Sequence, residues 1–348
     1  MKIHQVTIKD IANILGISIS TVSRALKNHP DISEETKNQV KELAVKLNYE
    51  PNALALNLRR CRTNTIGVII PEIVHHFFSS VISGIEDVAY DRGYNVMVCQ
   101  SNESYEREKI NAQALLLNRV DGVLVSVSKN SYNFDHIRAF VNQGIPLVFF
   151  DRICPEIIAD RVIINDEGGA FMATEHLISL GCKNIAHFSA PQNLLIGQDR
   201  CAGYQRALKR YNIPYNPDLI LHCDTSEDAF EKTEKFLKIN PSVDAVFAVN
   251  DSTAIAAMKV IQRMGKKVPN DIAVIGFGDG PNTEIVSPTL STIEQKGTEM
   301  GTEAIRLLLN RIENEIPADS FQTKVLTPIL MKRESTLTKV DLSQTFEI

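Results

Sequence analysis

Residues 7–27, TIKDIANILGISISTVSRALK, decide how the amino-terminal end folds. Thr7 followed by Asp10 is the pairing that closes a helix start, a hydroxyl at the cap and a carboxylate three residues on. Ile8, Ile11, Ala12 and Leu15 then recur at helical spacing and put one apolar stripe on a short helix. Gly16 ends it, because the turn there needs a residue that tolerates positive φ. Ser18 caps a second helix that turns Val22, Ala25 and Leu26 inward and leaves Ile19, Ser20, Ser23 and Arg24 outside. Two short helices joined by a glycine turn, with hydroxyls and an arginine on the second, describe a helix-turn-helix with its recognition helix.

Outward from that motif, Ser33 opens a third helix. Val40, Leu43, Ala44 and Leu47 form the stripe that closes a three-helix core. Lys37, Lys41 and Lys46 are expected on its outer side, either serving phosphates or simply solvated. In NYEPNALALNLRRCR, Pro51 suits a first helical turn, and 52–60 has room for two to three turns. A helix that short is marginal by itself in water, and its leucines point to more than one side. It either packs on the body or folds on DNA and offers a leucine as a minor-groove wedge.

The charge distribution agrees with a DNA-facing head. The 348 residues carry a net −5, which alone argues against a nucleic-acid binder. Residues 1–62, however, hold ten Lys/Arg against six Asp/Glu, so a head of +4 sits on a body of −9. That asymmetry fits one end meeting phosphates and the other not. The length suits two or three domains. MKIHQVTIKD lacks the apolar core of a signal peptide and no stretch reaches the length of a membrane span, so a cytoplasmic protein is expected. The six cysteines (61, 99, 154, 182, 201, 223) show no C-x-x-C pairing or zinc-like spacing to histidine, which predicts buried reduced thiols, with an exposed and oxidisable Cys61 as the alternative at that position, and no metal site.

From Thr65 the periodicity changes. Apolar runs alternate with amphipathic segments: 65–71 then 77–92, 94–99 then 104–118, 121–127 then 133–143, and 145–151. A second series runs 160–166 then 167–180, 184–190 then 198–211, 219–223 then 226–238, 244–250 then 251–264, and 271–279. Strand runs apolar on both faces and separated by helices mean parallel sheets covered on both sides. Two series in tandem predict two doubly wound lobes, with ligand bound beyond the carboxyl ends of the strands, between the lobes. No G-x-G-x-x-G or G-x-x-x-x-G-K-S/T follows the first strand, so no nucleotide cofactor is expected.

The chain resembles the lactose repressor (LacI/GalR) family of bacterial regulators over nearly its whole length. VTIKDIANILGISISTVSRAL resembles the headpiece signature of that family, YEPNALALNL its hinge, and TNTIGVIIPE the start of its effector domain. FFDR at 149–152, IND at 164–166, Arg200 with Gly203-Tyr204, FAVND at 247–251, VIGFGD at 274–279 and SPTLSTIEQ at 287–295 extend the likeness. The resemblance implies an all-α helix-turn-helix headpiece at 1–50, a hinge helix at 51–62, and an α/β effector and dimerisation domain at 63–335 like periplasmic sugar-binding proteins. Its two doubly wound parallel-sheet lobes would be about 63–162 with 293–322, and about 163–292 with 323–335, leaving a polar tail at 336–348. Crossovers are therefore expected near 162, 292 and 322.

The same resemblance implies a function. A homodimer would bind pseudo-palindromic operator DNA and repress transcription under control of a small sugar-like effector. Ile19, Ser20 and Arg24 match the base-reading positions. Thr7, Ser18, Thr21, Ser23 and Asn28 complete the headpiece contacts, and Asn52, Ala55, Leu58 and Arg59 those of the hinge, with Leu58 the inserted leucine. Ile19 can offer a thymine methyl only apolar contact, whereas Ser20 can donate or accept. One departure is Leu56, where the family often has Arg or Lys; Arg59, Arg60 and Arg62 stand nearby to compensate. Another is Gly278, which replaces the first acid of the usual G-F/Y-D-D/N.

For the effector, Phe77 would stack on a sugar face or sit in the core. Ser126 and Ser128 lie at a strand's carboxyl end, placed to bond a polar ligand. Asp151 and Arg152 fit either ligand contacts or an ion pair. Arg200 matches the family's anchor for ligand hydroxyls or carboxylates. Asn250 and Asp251 either meet ligand hydroxyls or cap a helix, and Asp279 adjoins them. Two other classes compete. A periplasmic-type sugar-binding protein for transport would have a signal peptide and no basic head. An enzyme would show a nucleophile and base, but His176, His187 and His222 are dispersed and no G-x-S-x-G is present.

Overall fold

The computed structural model describes residues 6–47, 49, 62–313 and 320–337. The chain divides into two compact units, Met1–Thr63 and Asn64–Ile348. The expected hinge, with Asn52, Ala55, Leu58 and Arg59, and the polar tail from 338 lie outside the described residues.

In the first unit, α1 (Ile8–Leu15), α2 (Ile19–Leu26) and α3 (Glu34–Lys46) follow the sequence pattern closely. The Asp10 carboxylate accepts from Thr7 N–H at 2.8 Å and from Thr7 Oγ1 at 2.7 Å. Gly16 takes φ +65° and returns its N–H to the Ala12 carbonyl. Ile11, Ala12, Val22, Ala25, Val40 and Ala44 form the buried core. Lys37 departs from its expected place on the outer side. It is 6 % exposed, and its stem lies along the core side of α3 while Nζ reaches Glu34 at 2.7 Å.

The second unit holds two parallel sheets. In the larger, the order is β11-β5-β4-β3-β1-β2, with β1 Thr65–Ile70, β2 Asn95–Gln100, β3 Gly122–Val125, β4 Leu147–Phe150, β5 Asp160–Ile164 and β11 Thr323–Leu326. One face packs on α4 (His76–Asp91) and α12 (Gly297–Ile312), the other on α5 (Tyr105–Leu117) and α6 (Asp135–Asn142). Gly84 and Gly301 let α4 and α12 touch backbone to backbone. A Cβ on Gly84 would lie 2.2 Å from the Thr298 carbonyl, and one on Gly301 2.0 Å from that of Val81.

The smaller sheet has the order β7-β6-β8-β9: β6 Ile185–Ser189, β7 Ile220–His222, β8 Ala245–Ala248 and β9 Ala273–Ile275. It lies between α7 (Asp166–Ser179) with α8 (Leu195–Arg210) and α9 (Ser226–Ile239) with α10 (Asp251–Arg263). After the short helix α11 (Asn282–Ile285), β10 (Thr292–Glu294) pairs antiparallel with β12 (Ile329–Met331), and isolated bridges join it to the β9 side.

Two lobe assignments need correcting. Residues 160–164, read as the first strand of the second series, belong to the larger sheet, where β5 pairs with β4. Residues 323–326 also belong there, paired with β5, and not to the second lobe. Burial decides both cases, since Val162, Ile164 and Leu326 join Phe150 and Ile70 in one core. The chain therefore passes between lobes just after 164, at 294–297 and at 326–329. The cysteines need a correction as well. Cys154 and Cys223 are buried, but Cys99, Cys182 and Cys201 are only half-buried, and all five are unpaired.

Candidate functional site

On the head, the exposed residues of α2 and its flanks form one face. Ser18 Oγ accepts from Thr21 N–H at 3.1 Å and lies 2.7 Å from Ser20 Oγ and 2.8 Å from Thr21 Oγ1. The cap thus orders the hydroxyls at the helix start while Ile19, 46 % exposed, stands clear beside Ser20. Thr7, Ser18, Ser20, Arg24 and Asn28 are exposed, and Thr21 and Ser23 half-buried. Asn28 has φ +55°, the left-handed conformation that asparagine tolerates at a helix end. This face offers hydroxyls and one apolar side chain at the start of α2 and a guanidinium in its last turn, a combination suited to phosphates and base edges.

In the body, the carboxyl ends of the larger sheet converge on a polar floor. Ser101 follows β2, Ser126 follows β3, and Asp151-Arg152 follow β4. Ser101 Oγ, Ser126 Oγ and Arg152 Nε are buried and make no hydrogen bond among the described residues. Asp151 is 6 % exposed with φ +58°, and burial pushes its carboxyl up to about 6. Arg152 reaches Glu103 Oε1 at 2.7 Å and comes within 3.9 Å of Asp151. Asp151 and Arg152 are therefore an ion pair that still leaves a donor unspoken for. Ser128 is more fully engaged: its N–H donates to Glu108 at 2.6 Å and its Oγ accepts from Asn130 N–H.

Arg200 is placed differently from expectation. Nε and Nη2 both lie 2.7 Å from Asp166 Oδ1, Nη1 donates to the Val249 carbonyl at 2.5 Å, and the guanidinium stacks 3.7 Å from the Phe277 ring. It is 4 % exposed and ties α8 to α7 and β8. Gly203 makes this possible, because a Cβ there would lie 2.2 Å from the Glu167 carbonyl and push α8 off α7. Burial pushes the Asp166 carboxyl up, and the arginine opposes that.

Asp251 is also committed internally. It accepts from Thr292 Oγ1 at 2.5 Å and Gly280 N–H at 3.0 Å, and burial pushes its pKa up. These bonds explain Gly278, since a Cβ there would meet Asp251 Oδ2 at 2.7 Å and φ is +147°. Asn250 caps α10, its Oδ1 accepting from Thr253 N–H at 2.8 Å, and its Nδ2 donates to the Asp224 carbonyl at 2.7 Å. Asp279 pairs with Arg333 at 2.7 Å.

The expected effector set therefore falls into groups. Asp151 and Arg152 face Asp166 and Arg200 closely enough that Arg200 pulls the Asp151 pKa down against its burial. Phe77 and Asp279 instead line a cavity of about 380 Å³ with His76, Ser80, Lys296 and Glu299. Phe77 meets Phe78 edge-on at 5.2 Å, so it is half core and half lining. Sequence reasoning missed Ser101, Glu103 and Asp166. The strand-end rule that singled out Ser126 applies equally to Ser101, and IND at 164–166 contained Asp166. Nothing local marks Glu103. The Asp166–Arg200 pair is neutral and the Asp151–Arg152–Glu103 group keeps one negative charge in excess, so this lining disfavours an anion and suits an uncharged ligand rich in hydroxyls.

Comparison with known proteins accounts for both regions. Residues 7–52 match the family described as bacterial regulatory proteins, lacI family, and residues 174–336 a periplasmic binding protein-like domain. The ribose operon repressor of Halalkalibacterium halodurans is 33% identical over 331 residues, 95% of this chain and 97% of that protein. The lac repressor dimer bound to operator and the anti-inducer ONPF aligns with TM-score 0.81 at 27% identity, covering 96% of this chain and 99% of that one. An Enterococcus faecium LacI family regulator with bound ribose aligns with TM-score 0.68 at 30% identity over 79% of this chain and 100% of its own. An exposed recognition helix on a three-helix head, an α/β body of two parallel-sheet lobes, and likeness running the length of named repressors have one reading. The chain belongs to the lacI family, and it is a DNA-binding transcriptional repressor, not an enzyme or a transport protein.

Proposed function

We propose that this repressor works in the cytoplasm as a homodimer. Each head lays α2 in the major groove of one operator half-site. Ile19, Ser20 and Arg24 read bases there, and Thr7, Ser18, Thr21, Ser23 and Asn28 hold the phosphates and the register. Segment 51–62 serves as the hinge, with Leu58 as the minor-groove wedge and Asn52, Ala55 and Arg59 beside it. The effector is a small neutral sugar or sugar derivative held between the lobes. Its hydroxyls bond Ser101, Ser126, Asp151 and Arg152. Arg200, Asp251 and Asn250 shape this site from behind.

The observation that carries the reading is the trio Ser101 Oγ, Ser126 Oγ and Arg152 Nε, three buried polar atoms without a partner among the described residues, at the carboxyl ends of β2, β3 and β4 in one sheet. An unsatisfied buried donor is costly, so three in one place mark a surface made for a hydroxylated partner. Ribose, bound by the Enterococcus faecium regulator, is the natural first probe.

Fluorescence anisotropy on DNA from upstream of the protein's own gene tests both halves. Affinity should fall log-linearly with salt, as phosphate neutralisation demands. Among D-ribose, other neutral mono- and disaccharides and sugar phosphates, a neutral sugar should shift operator affinity. A response to sugar phosphates alone would overturn the neutral-effector reading. A flat salt response would overturn the docking of the head.

A further inference from the structure

The loop after β3 does more than line the floor of the cleft. Glu103 Oε2 accepts from Lys129 N–H at 2.8 Å, while Glu103 Oε1 takes Arg152 at 2.7 Å. Among the described residues, two bonds from Lys129 cross to the second lobe. Its Nζ pairs with Asp224 Oδ2 at 3.0 Å, and its carbonyl accepts from Asn193 Nδ2 at 2.6 Å. Asp224 in turn accepts Asn250 Nδ2 on its own carbonyl, next to the start of α10. A continuous line of bonds thus runs from Arg152 on the floor of one lobe to the α10 cap of the other. The lysine and aspartate side chains are only 23% and 21% exposed, so water weakens the pair less than it would a surface one.

The location of this pair matters as much as its bonds. Asp224 follows β7, one edge of the smaller sheet, whereas the crossover strand β10 bridges to the β9 side at the opposite edge. A bond at the edge farthest from the crossovers has the longest lever arm on rotation of one lobe against the other. We propose that Lys129 is a clasp: through Asp224 and Asn193 it sets how far the cleft opens, and through Glu103 it ties that opening to the position of Arg152. Lys129, Asp224 and Asn193 are positioning residues, and the clasp stands on these contacts whichever effector the cleft takes.

Hydrogen exchange read by mass spectrometry on the full-length protein tests this without any ligand. Lys129→Met and Asp224→Asn should each speed exchange in the loops at 126–131, 190–194 and 222–226 by roughly three- to tenfold, leaving the amides of β3, β6 and β8 protected. The charge exchange Lys129→Asp with Asp224→Lys should bring those loops back toward the wild-type rate, and Lys129→Arg should stay close to it. Unchanged loops in the single variants would overturn the clasp. So would an exchanged pair as fast as the singles. A uniform rise through both sheets would do the same, since it would make the pair a general stabiliser and not a contact specific to the cleft.

Discussion

In the head, the residues expected to touch a ligand stand outside a packed core, and Ile19 is 46 % exposed with Ser20 and Arg24 beside it. In the body, the matching motif residues are drawn inward. Arg200 is spent on Asp166, Val249 and Phe277, Asp251 on Thr292 and Gly280, and Asn250 on the α10 cap. The difference is geometric. A convex helix reads DNA with side chains that point away from its own core. A cleft between lobes must be built before it can bind, and its strongest polar groups do the building. A motif residue in such a cleft is therefore as much a bolt as a contact.

Arg200→Ala gives the largest expected effect and the sharpest test of that contrast. It strands the buried Asp166 carboxylate, so thermal or urea unfolding should show a loss of roughly 3–5 kcal/mol. Arg24→Ala, on the exposed face of the head, should leave stability within about 0.5 kcal/mol while weakening operator binding. An Arg200 variant as stable as wild type but unresponsive to effector would return that residue to the ligand.

Acid should act on the body through His187, which lies stacked between Phe247 at 4.7 Å and Tyr204 at 5.3 Å. Burial lowers its pKa from 6.5 to about 4, with the Phe247 carbonyl opposing. The unfolded chain then takes up the proton first. The contribution is whole above pH 6.5 and is lost as pH falls towards 4, a change of roughly 3 kcal/mol. Asp151, raised to about 6, works the other way, adding stability as pH falls from 6 towards 3.8. In urea melts across that range, His187→Phe should flatten the acid loss, and a slope equal to wild type would show that other groups carry it.

Asp251→Ala should cost about 2–3 kcal/mol, because Gly280 N–H and Thr292 Oγ1 lose their acceptor inside the protein. If calorimetry instead found normal stability and abolished sugar binding, the carboxylate would be a contact after all. In the head, substituting Ile19 and Ser20 together should change the preferred half-site by roughly 1–3 kcal/mol for each base position affected, without moving the melting midpoint. Selection on randomised DNA that returned the wild-type motif would remove these two residues from base reading.

Features that depend on neighbours along the chain were legible from the residues alone. Thr7 with Asp10, Gly16 and Ser18 set the ends of the first two helices, the stripe of Ile11, Ala12, Val22 and Ala25 named the core of the head, and continuous β-branched runs announced parallel sheets. Short-range spacing decides those features, so they are legible residue by residue. Tertiary structure alone decided where each strand paired. Asp160–Ile164 joined the larger sheet because Val162 and Ile164 found their core beside Phe150, a contact that no local pattern encodes. It also decided which polar groups were consumed. Lys37 buried its stem on the core side of α3 and paired with exposed Glu34, and Asp251 closed on a turn that only Gly278 allows. Ser101, Ser126 and Arg152 kept buried atoms without a partner among the described residues. Hydrogen bonding is a competition among groups distant in sequence, and only the folded chain shows which of them are left over for a ligand.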